Sequence, residues 1–288
     1  MSIKDIKQFP KLYIMEEIVQ NKIKIDIITY ISGYPLEVFD RFIGSLNDTG
    51  FSGKIYLIIN TQDKPIIKLL LQKYHNIKPI VDNIPKKTHI NCHRFFCIKH
   101  LLDKLEFDSD YFLLCDSRDV LFQKNIETYP YDPEIDIYGF QEGITIAQEK
   151  VFNTPWIKMV EQIMREPVYE KISDKKIICC GTTIGKTESI KKYVYTMCDI
   201  IERNNIRMNL DQGIHNYLLY LNKLGVNIKI LSNDDNLVNT IGNDVHILDE
   251  DGRILNCNNE VSYIVHQYDR CSKDNRDKLS KKYNFSVN

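Results

Sequence analysis

Residues 111–123 read Y-F-L-L-C-D-S-R-D-V-L-F-Q, an apolar run that stops at Asp116 and is followed three positions later by Asp119. A short continuous apolar run suits a strand buried on both faces, as in a parallel sheet. Ligands of open α/β sheets bind beyond the carboxyl ends of such strands. Two carboxylates held there, against a dry core, are costly unless a cation compensates them. A divalent metal is the natural compensation, and it points to phosphate chemistry. Magnesium and manganese take carboxylate oxygens, manganese also takes imidazole, and a diphosphate brings further oxygens of its own. Two or three protein ligands therefore suffice. His266 offers the third, because it follows another short apolar run, in V-S-Y-I-V-H-Q-Y-D-R. The plainer alternative makes Asp116 and Asp119 helix-capping or loop carboxylates with Arg118 as ion-pair partner. In that alternative His266 is a satisfied surface or core histidine.

The elements that must position these residues alternate along the chain. Residues 25–31 form a β-branched run ending in Ser32-Gly33, and residues 54–59 form a second, ending in Asn60. Asp63 stands where it can cap a helix through Tyr74, with Pro65 in its first turn. Residues 77–81 read as a third strand. Residues 91–105 carry Phe95, Ile98, Leu101, Leu102 and Leu105 at helical spacing. With residues 111–115 as the fourth strand, this order predicts a doubly wound, parallel α/β sheet with right-handed crossovers. In the second half, strands are expected at 135–140, 176–180, 226–231 and 263–265. Helices are expected at 154–165, from a Thr187 cap (or alternatively Ser189) to about Asn204, and at 211–224. Residues 1–25 read as a helix or arm, and residues 273–282 as a solvated charged segment. No repeat or Pro/Gly/Ser linker divides the chain. The reading is a single domain over 1–288. It has a nucleotide-binding half at about 25–125, an acceptor-facing half at about 126–270 and a charged tail at 271–288.

The 288 residues, 43% hydrophobic and 27% charged, suit a soluble globular protein with a sizeable core. A net charge of −1 gives no basic field to recruit nucleic acid or an anionic membrane. No apolar segment approaches the roughly 20 residues of a membrane span, and the first ten residues lack a secretory apolar region. The eight cysteines include no C-x-x-C pair. Together with the missing signal sequence, this predicts reduced thiols and a cytoplasmic location.

The D-S-R-D motif after a strand, the Gly-rich C-C-G-T-T-I-G, the later D-Q at Asp211-Gln212 and the C-terminal V-H together resemble the GT-A glycosyltransferases, which use nucleotide sugars. The D-x-x-D form is most similar to the glycosyltransferase domain of the collagen lysyl hydroxylases and to related viral and bacterial transferases. The resemblance spans roughly residues 25–270. Arg118 holds the place of the second acid in the commoner D-x-D form, which moves that role to Asp119. The resemblance implies a Rossmann-like, mostly parallel sheet flanked by helices. It also implies a manganese or magnesium ion (Mn2+ or Mg2+) held by Asp119 and His266. Asp116 would be a third ligand or would face the ribose.

Further roles follow from the same likeness. Thr29, Tyr30 and Ile31 end the strand where the uracil ring is held, and Asp82 is a second base-binding candidate. Arg94 falls near the donor diphosphate or sugar, and Gly181 lies in a turn beside that sugar. Asp211 and Gln212 face the donor sugar or the acceptor hydroxyl. If the reaction inverts the anomeric carbon, Asp211 is the first candidate base and Glu142 the second. If it retains configuration, Asp211 holds sugar hydroxyls instead. Arg270, and with it Lys273, would meet the leaving phosphates. The plain readings stay beside these: an exposed helix arginine at 94, core packing at Tyr30, a simple turn at 181–185, a helix start at Asp211 and surface cations at 270 and 273.

The expected function is metal-dependent transfer of a sugar from a UDP-sugar to a glycan or protein hydroxyl, in a soluble enzyme of a microbe or a large virus. A phosphohydrolase of the HAD type needs an acid where Arg118 stands. A nucleotidyltransferase needs an Arg-bearing glycine loop where the chain has only Ser32-Gly33-Tyr34-Pro35. A non-catalytic sugar-nucleotide-binding module of the same fold is the remaining alternative.

Overall fold

The computed structural model describes residues 23–242, 247–270 and 272–274. The expected N-terminal arm up to residue 22 lies outside them, as does the charged tail apart from residues 272–274. The apolar runs of the first half form strands β1 (Ile25–Tyr30), β2 (Ile55–Ile59), β3 (Ile77–Val81) and β4 (Tyr111–Cys115). Helices α1 (Leu36–Asp48), α2 (Lys64–Lys73) and α3 (Ile90–Lys104) connect them. β1 pairs in parallel with β2 on one side and β4 on the other, and β2 with β3. Side chains alternate across β4. Phe112 and Leu114 enter the core under α3, while Tyr111, Leu113 and Cys115 enter the opposite core with Phe39 and Phe42 of α1. Burial on both faces is what makes these strands continuous apolar runs.

The second half supplies β5 (Val120–Phe122), β6 (Ile137–Thr145), α4 (Asn153–Met164), α5 (Tyr169–Ile172), β7 (Lys176–Lys186), α6 (Thr187–Arg203), α7 (Asp211–Tyr220), β8 (Ile228–Leu231), β9 (Val238–Thr240), β10 (Ile247–Leu248), β11 (Ile254–Leu255) and β12 (Ile264–His266). The main sheet has the order β3-β2-β1-β4-β7-β6-β8. Its strand order reverses between β1 and β4, so a crevice opens at their carboxyl ends. A small sheet, β5-β12-β9, stands beside that crevice, and β10 and β11 form a separate antiparallel pair.

The sheet is mostly parallel, as expected, with β7 antiparallel to both β4 and β6. Three local expectations change. Residues 181–185 are not a turn: β7 continues through them, with Cys115 opposite Thr182 and Phe112 opposite Gly185. Thr182, Thr183 and Ile184 are β-branched and buried, and their preference carries the strand past both glycines. Thr187 does not cap α6; its hydroxyl donates to the Ser109 carbonyl at 2.6 Å. Asp63 precedes α2 as expected but makes no cap bond to it. Its carboxylate instead accepts from the Ser32 hydroxyl at 2.6 Å and from the backbone of Gly33 and Asn60, each at 3.0 Å, fixing the loop after β1.

Candidate metal centre and the cleft around it

Asp116 leaves β4 with its backbone N–H bonded to the Gly181 carbonyl at 2.8 Å. The short strand β5 follows and pairs antiparallel with β12, placing Val120 opposite His266. The Gln267 N–H also donates to the Asp119 carbonyl at 2.8 Å. These backbone bonds deliver His266 to the two acids. Its Nε2 stands 3.8 Å from Asp116 Oδ2 and 3.8 Å from Asp119 Oδ1. Asp119 and His266 are 6% and 2% exposed, so the cluster is solvent-facing only at Asp116.

The residues fit a divalent ion. One ligand atom from each of the three lies within 4.8 Å of the other two. An ion with bonds of about 2.1 Å holds adjacent ligands ~3 Å apart, so the cluster need contract by less than about 2 Å. His266 Nδ1 faces Cys179 Sγ at 3.6 Å, which leaves Nε2 for the acids, as a ligating histidine requires. Gly181 keeps the space clear. A Cβ there would stand 2.3 Å from His266 Cε1 and 2.7 Å from Asp116 Oδ2.

The electrostatics favour a cation at the cluster. Burial raises the Asp119 carboxyl above its usual range, and the charge of Asp116 adds to the rise. Burial opposes the charge on His266, yet hydrogen bonding and attraction from Asp116 and Asp119 raise it overall. Burial also acts against ionised Asp116, but Arg94 and His266 outweigh it and hold that carboxyl well below the ordinary range. A bound cation would relieve the acid pair without borrowing a proton. Arg118 donates to Asp119 at 3.4 Å and to Asp269 at 2.9 Å on the outer side, so the expected ion-pair partner is present as well.

Arg94 is not an exposed helix arginine. It is 16% exposed and its guanidinium pairs with both Asp116 Oδ1 and Asp211 Oδ2. It lines a cavity of about 300 Å³ with Tyr30, Ser32, Tyr34, Asp116 and Asp119. The Tyr30 hydroxyl donates to Asp82 Oδ2 at 3.1 Å and to Asn60 at 3.3 Å, setting the ring at the cavity wall. Thr29 is 1% exposed within β1, and Ile31 is buried in the core, so neither reaches the cavity.

Asp82 belongs to a cluster that sequence reading missed. Its Oδ2 lies 2.9 Å from His93 Nε2, and Cys97 Sγ lies 3.3 Å from the same nitrogen. His93 and Cys97 are one helical turn apart on α3, and that spacing was the available signal. Also missed was the buried chain behind Arg94, in which the Tyr193 hydroxyl bonds His215 Nδ1 at 2.8 Å.

Asp211 and Gln212 open α7, where an acid suits the helix dipole. Gln212 accepts from the Cys180 N–H at 3.3 Å and donates to Asn153 Oδ1 at 2.7 Å and to Glu142 at 3.4 Å. Burial raises the Glu142 carboxyl. Glu142, Gln212 and Arg270 line a second cavity, of about 420 Å³, and not the one beside Arg94. Lys273 is exposed.

No protein-family model and no curated protein matches the sequence. Solved structures do match the fold. The galactosyltransferase LgtC, crystallised with donor and acceptor sugar analogs, aligns over 91% of this chain and 97% of its own, with a TM-score of 0.56 and 10% identity. An active-site mutant of LgtC aligns over the same shares, with a TM-score of 0.56 and 13% identity. The fold is thus of the GT-A type, an α/β architecture with a mostly parallel sheet flanked by helices.

Proposed function

We propose that the protein is a metal-dependent glycosyltransferase that moves a sugar from a nucleoside-diphosphate donor, a UDP-sugar, to a hydroxyl acceptor. The single observation that carries this is the convergence of Asp116, Asp119 and His266 at the carboxyl end of β4, on a GT-A sheet. The reading keeps the D-x-x-D kinship with the lysyl hydroxylase transferase domains, and treats the chain as one working domain. When bound, manganese or magnesium would neutralise the donor diphosphate and ease departure of the leaving group.

The remaining roles fall to the chain's own side chains. Tyr30 and Asp82 meet the base end of the donor. Arg94 carries positive charge toward the diphosphate, and Gly181 keeps the ligands unobstructed. Asp211, held by Arg94, fixes donor-sugar hydroxyls, while Glu142 and Gln212 face the acceptor. Arg270 offsets charge on the departing diphosphate.

Among the described residues no helix is long and apolar enough to cross a membrane. The seven described cysteines are free, which suits the cytoplasmic location we assign. Thermal shift with UDP, GDP and CMP, with and without manganese, tests the function. Stabilisation by UDP only with manganese, lost in Asp119→Ala, is expected. Undiminished manganese-dependent UDP binding by Asp119→Ala would refute it.

A further inference from the structure

The cavity that holds Glu142 and Gln212 has an aromatic wall to which the proposed donor roles assign nothing. The Phe152 ring is 58% exposed and lies 5.6 Å from the Trp156 ring, tilted by 33°. The loop carrying it is built, not slack. Glu149 accepts from the Val151 N–H at 3.0 Å and from the Phe152 N–H at 2.9 Å, fixing the chain as it enters α4. Its sequence neighbour Val151 is 69% exposed and Ile144 of the same cavity 42%, and an exposed apolar group of this kind marks a contact surface.

Much of the remaining lining is polar, and its charged members are Glu142, Glu149 and Arg270. Gln212 and Asn153 present carboxamides. Gln267 also lines the cavity, and its side-chain carbonyl oxygen is buried without a hydrogen-bond partner among the described residues. A buried carbonyl left unpaired is costly, and a ligand hydroxyl would recover that cost. Gln267 directly follows His266, so this wall adjoins the metal cluster.

We infer that this cavity binds the pyranose ring of a saccharide acceptor, stacked on Phe152 and Trp156, with its hydroxyls on Glu142, Asn153, Gln212 and Gln267. A pyranose carries C–H groups on its faces and hydroxyls at its edge, matching one aromatic wall and one amide wall. A serine or threonine side chain would reach the polar end and leave the aromatic wall bare. Naming the sugar an acceptor rests on the transferase reading; the sugar site itself does not.

Trp156 is the chain's one tryptophan, so intrinsic emission reports on this cavity directly. The experiment titrates disaccharides ending in glucose, galactose, mannose or N-acetylglucosamine into protein with UDP and manganese, and separately a Ser/Thr-rich peptide. UDP binding is read by calorimetry in the same buffer. A saturable emission change with at least one disaccharide is expected, weakened about tenfold in Phe152→Ala. Thermal unfolding checks that this variant is folded. No response to any disaccharide, or a response to the peptide alone, overturns the inference. Disaccharide binding without UDP binding would support the sugar site while refuting the transferase reading.

Discussion

The Arg94 guanidinium donates to Asp211 Oδ2 at 2.9 Å, across 117 positions of sequence. The same group pairs with Asp116, so one half-buried cation joins the end of β4 to the start of α7. The two halves of the site are thus coupled by charge as well as by β4–β7 pairing. Removing the cation from such a network leaves Asp211 buried and uncompensated, with Asp116 only partly solvated.

Arg94→Met keeps the aliphatic stem and deletes the charge. It is expected to destabilise the fold by about 3 kcal/mol in urea denaturation. Arg94→Lys should recover only part of that, because an ammonium cannot fork between two carboxylates. A loss below about 1 kcal/mol in Arg94→Met would mean the acids find other compensation.

Gly181→Ala tests whether the acids and His266 act as a metal set. The added methyl has no room beside His266 and Asp116, while the strand backbone itself tolerates alanine. Manganese-dependent UDP binding should weaken by about 10–100-fold with the secondary structure intact by circular dichroism. Binding within about twofold of the parent would show that the cluster does not govern the nucleotide.

His215 sets part of the pH dependence of stability. Burial and the nearby Arg94 charge lower its pKa to about 3, and its Nε2 has no partner among the described residues. The unfolded chain protonates this ring near its ordinary value of about 6.5. Between the two values the unfolded state binds the extra proton, so stability rises with pH across that window and is lost as pH falls. The slope attributable to His215 is about 1.4 kcal/mol per pH unit. Urea midpoints between about pH 4.5 and 6 should therefore climb less steeply in His215→Asn than in the parent. Equal slopes would mean that the ring is protonated in the native state.

Legibility in the sequence follows locality. β1 and β4 are readable because burial on both faces leaves a continuous apolar run, and the acids after β4 break that run sharply. His266 is readable for the same reason at the end of β12. Gly181 reads as a turn because glycine usually punctuates a chain. Its actual cause, the ring of His266 from a distant strand, is a tertiary contact that no local window contains. The partners of Arg94 and the shared nitrogen of His93 are hidden likewise. Asp63 shows the reverse case, where a correct helix boundary conceals a different use of the carboxylate.

Glu142 and Asp211 are both candidate bases by sequence, and their surroundings separate them. Asp211 is engaged by Arg94, which makes it a fixed anion suited to holding hydroxyls. Glu142 has no ion pair among the described residues, lies in the aromatic-walled cavity, and has its carboxyl raised chiefly by burial. A raised carboxyl is the stronger base once ionised. If Glu142 takes the acceptor proton, Glu142→Gln should lower transfer turnover by at least about 100-fold while leaving manganese-dependent UDP affinity within about twofold. The parent rate should rise with pH through the raised pKa of Glu142, above the usual carboxylate range, because only the ionised form accepts the proton. The variant should lose that rise. Steady-state kinetics across pH for both proteins decide the matter, and a Glu142→Gln enzyme with near-parental turnover would remove Glu142 from the proton transfer.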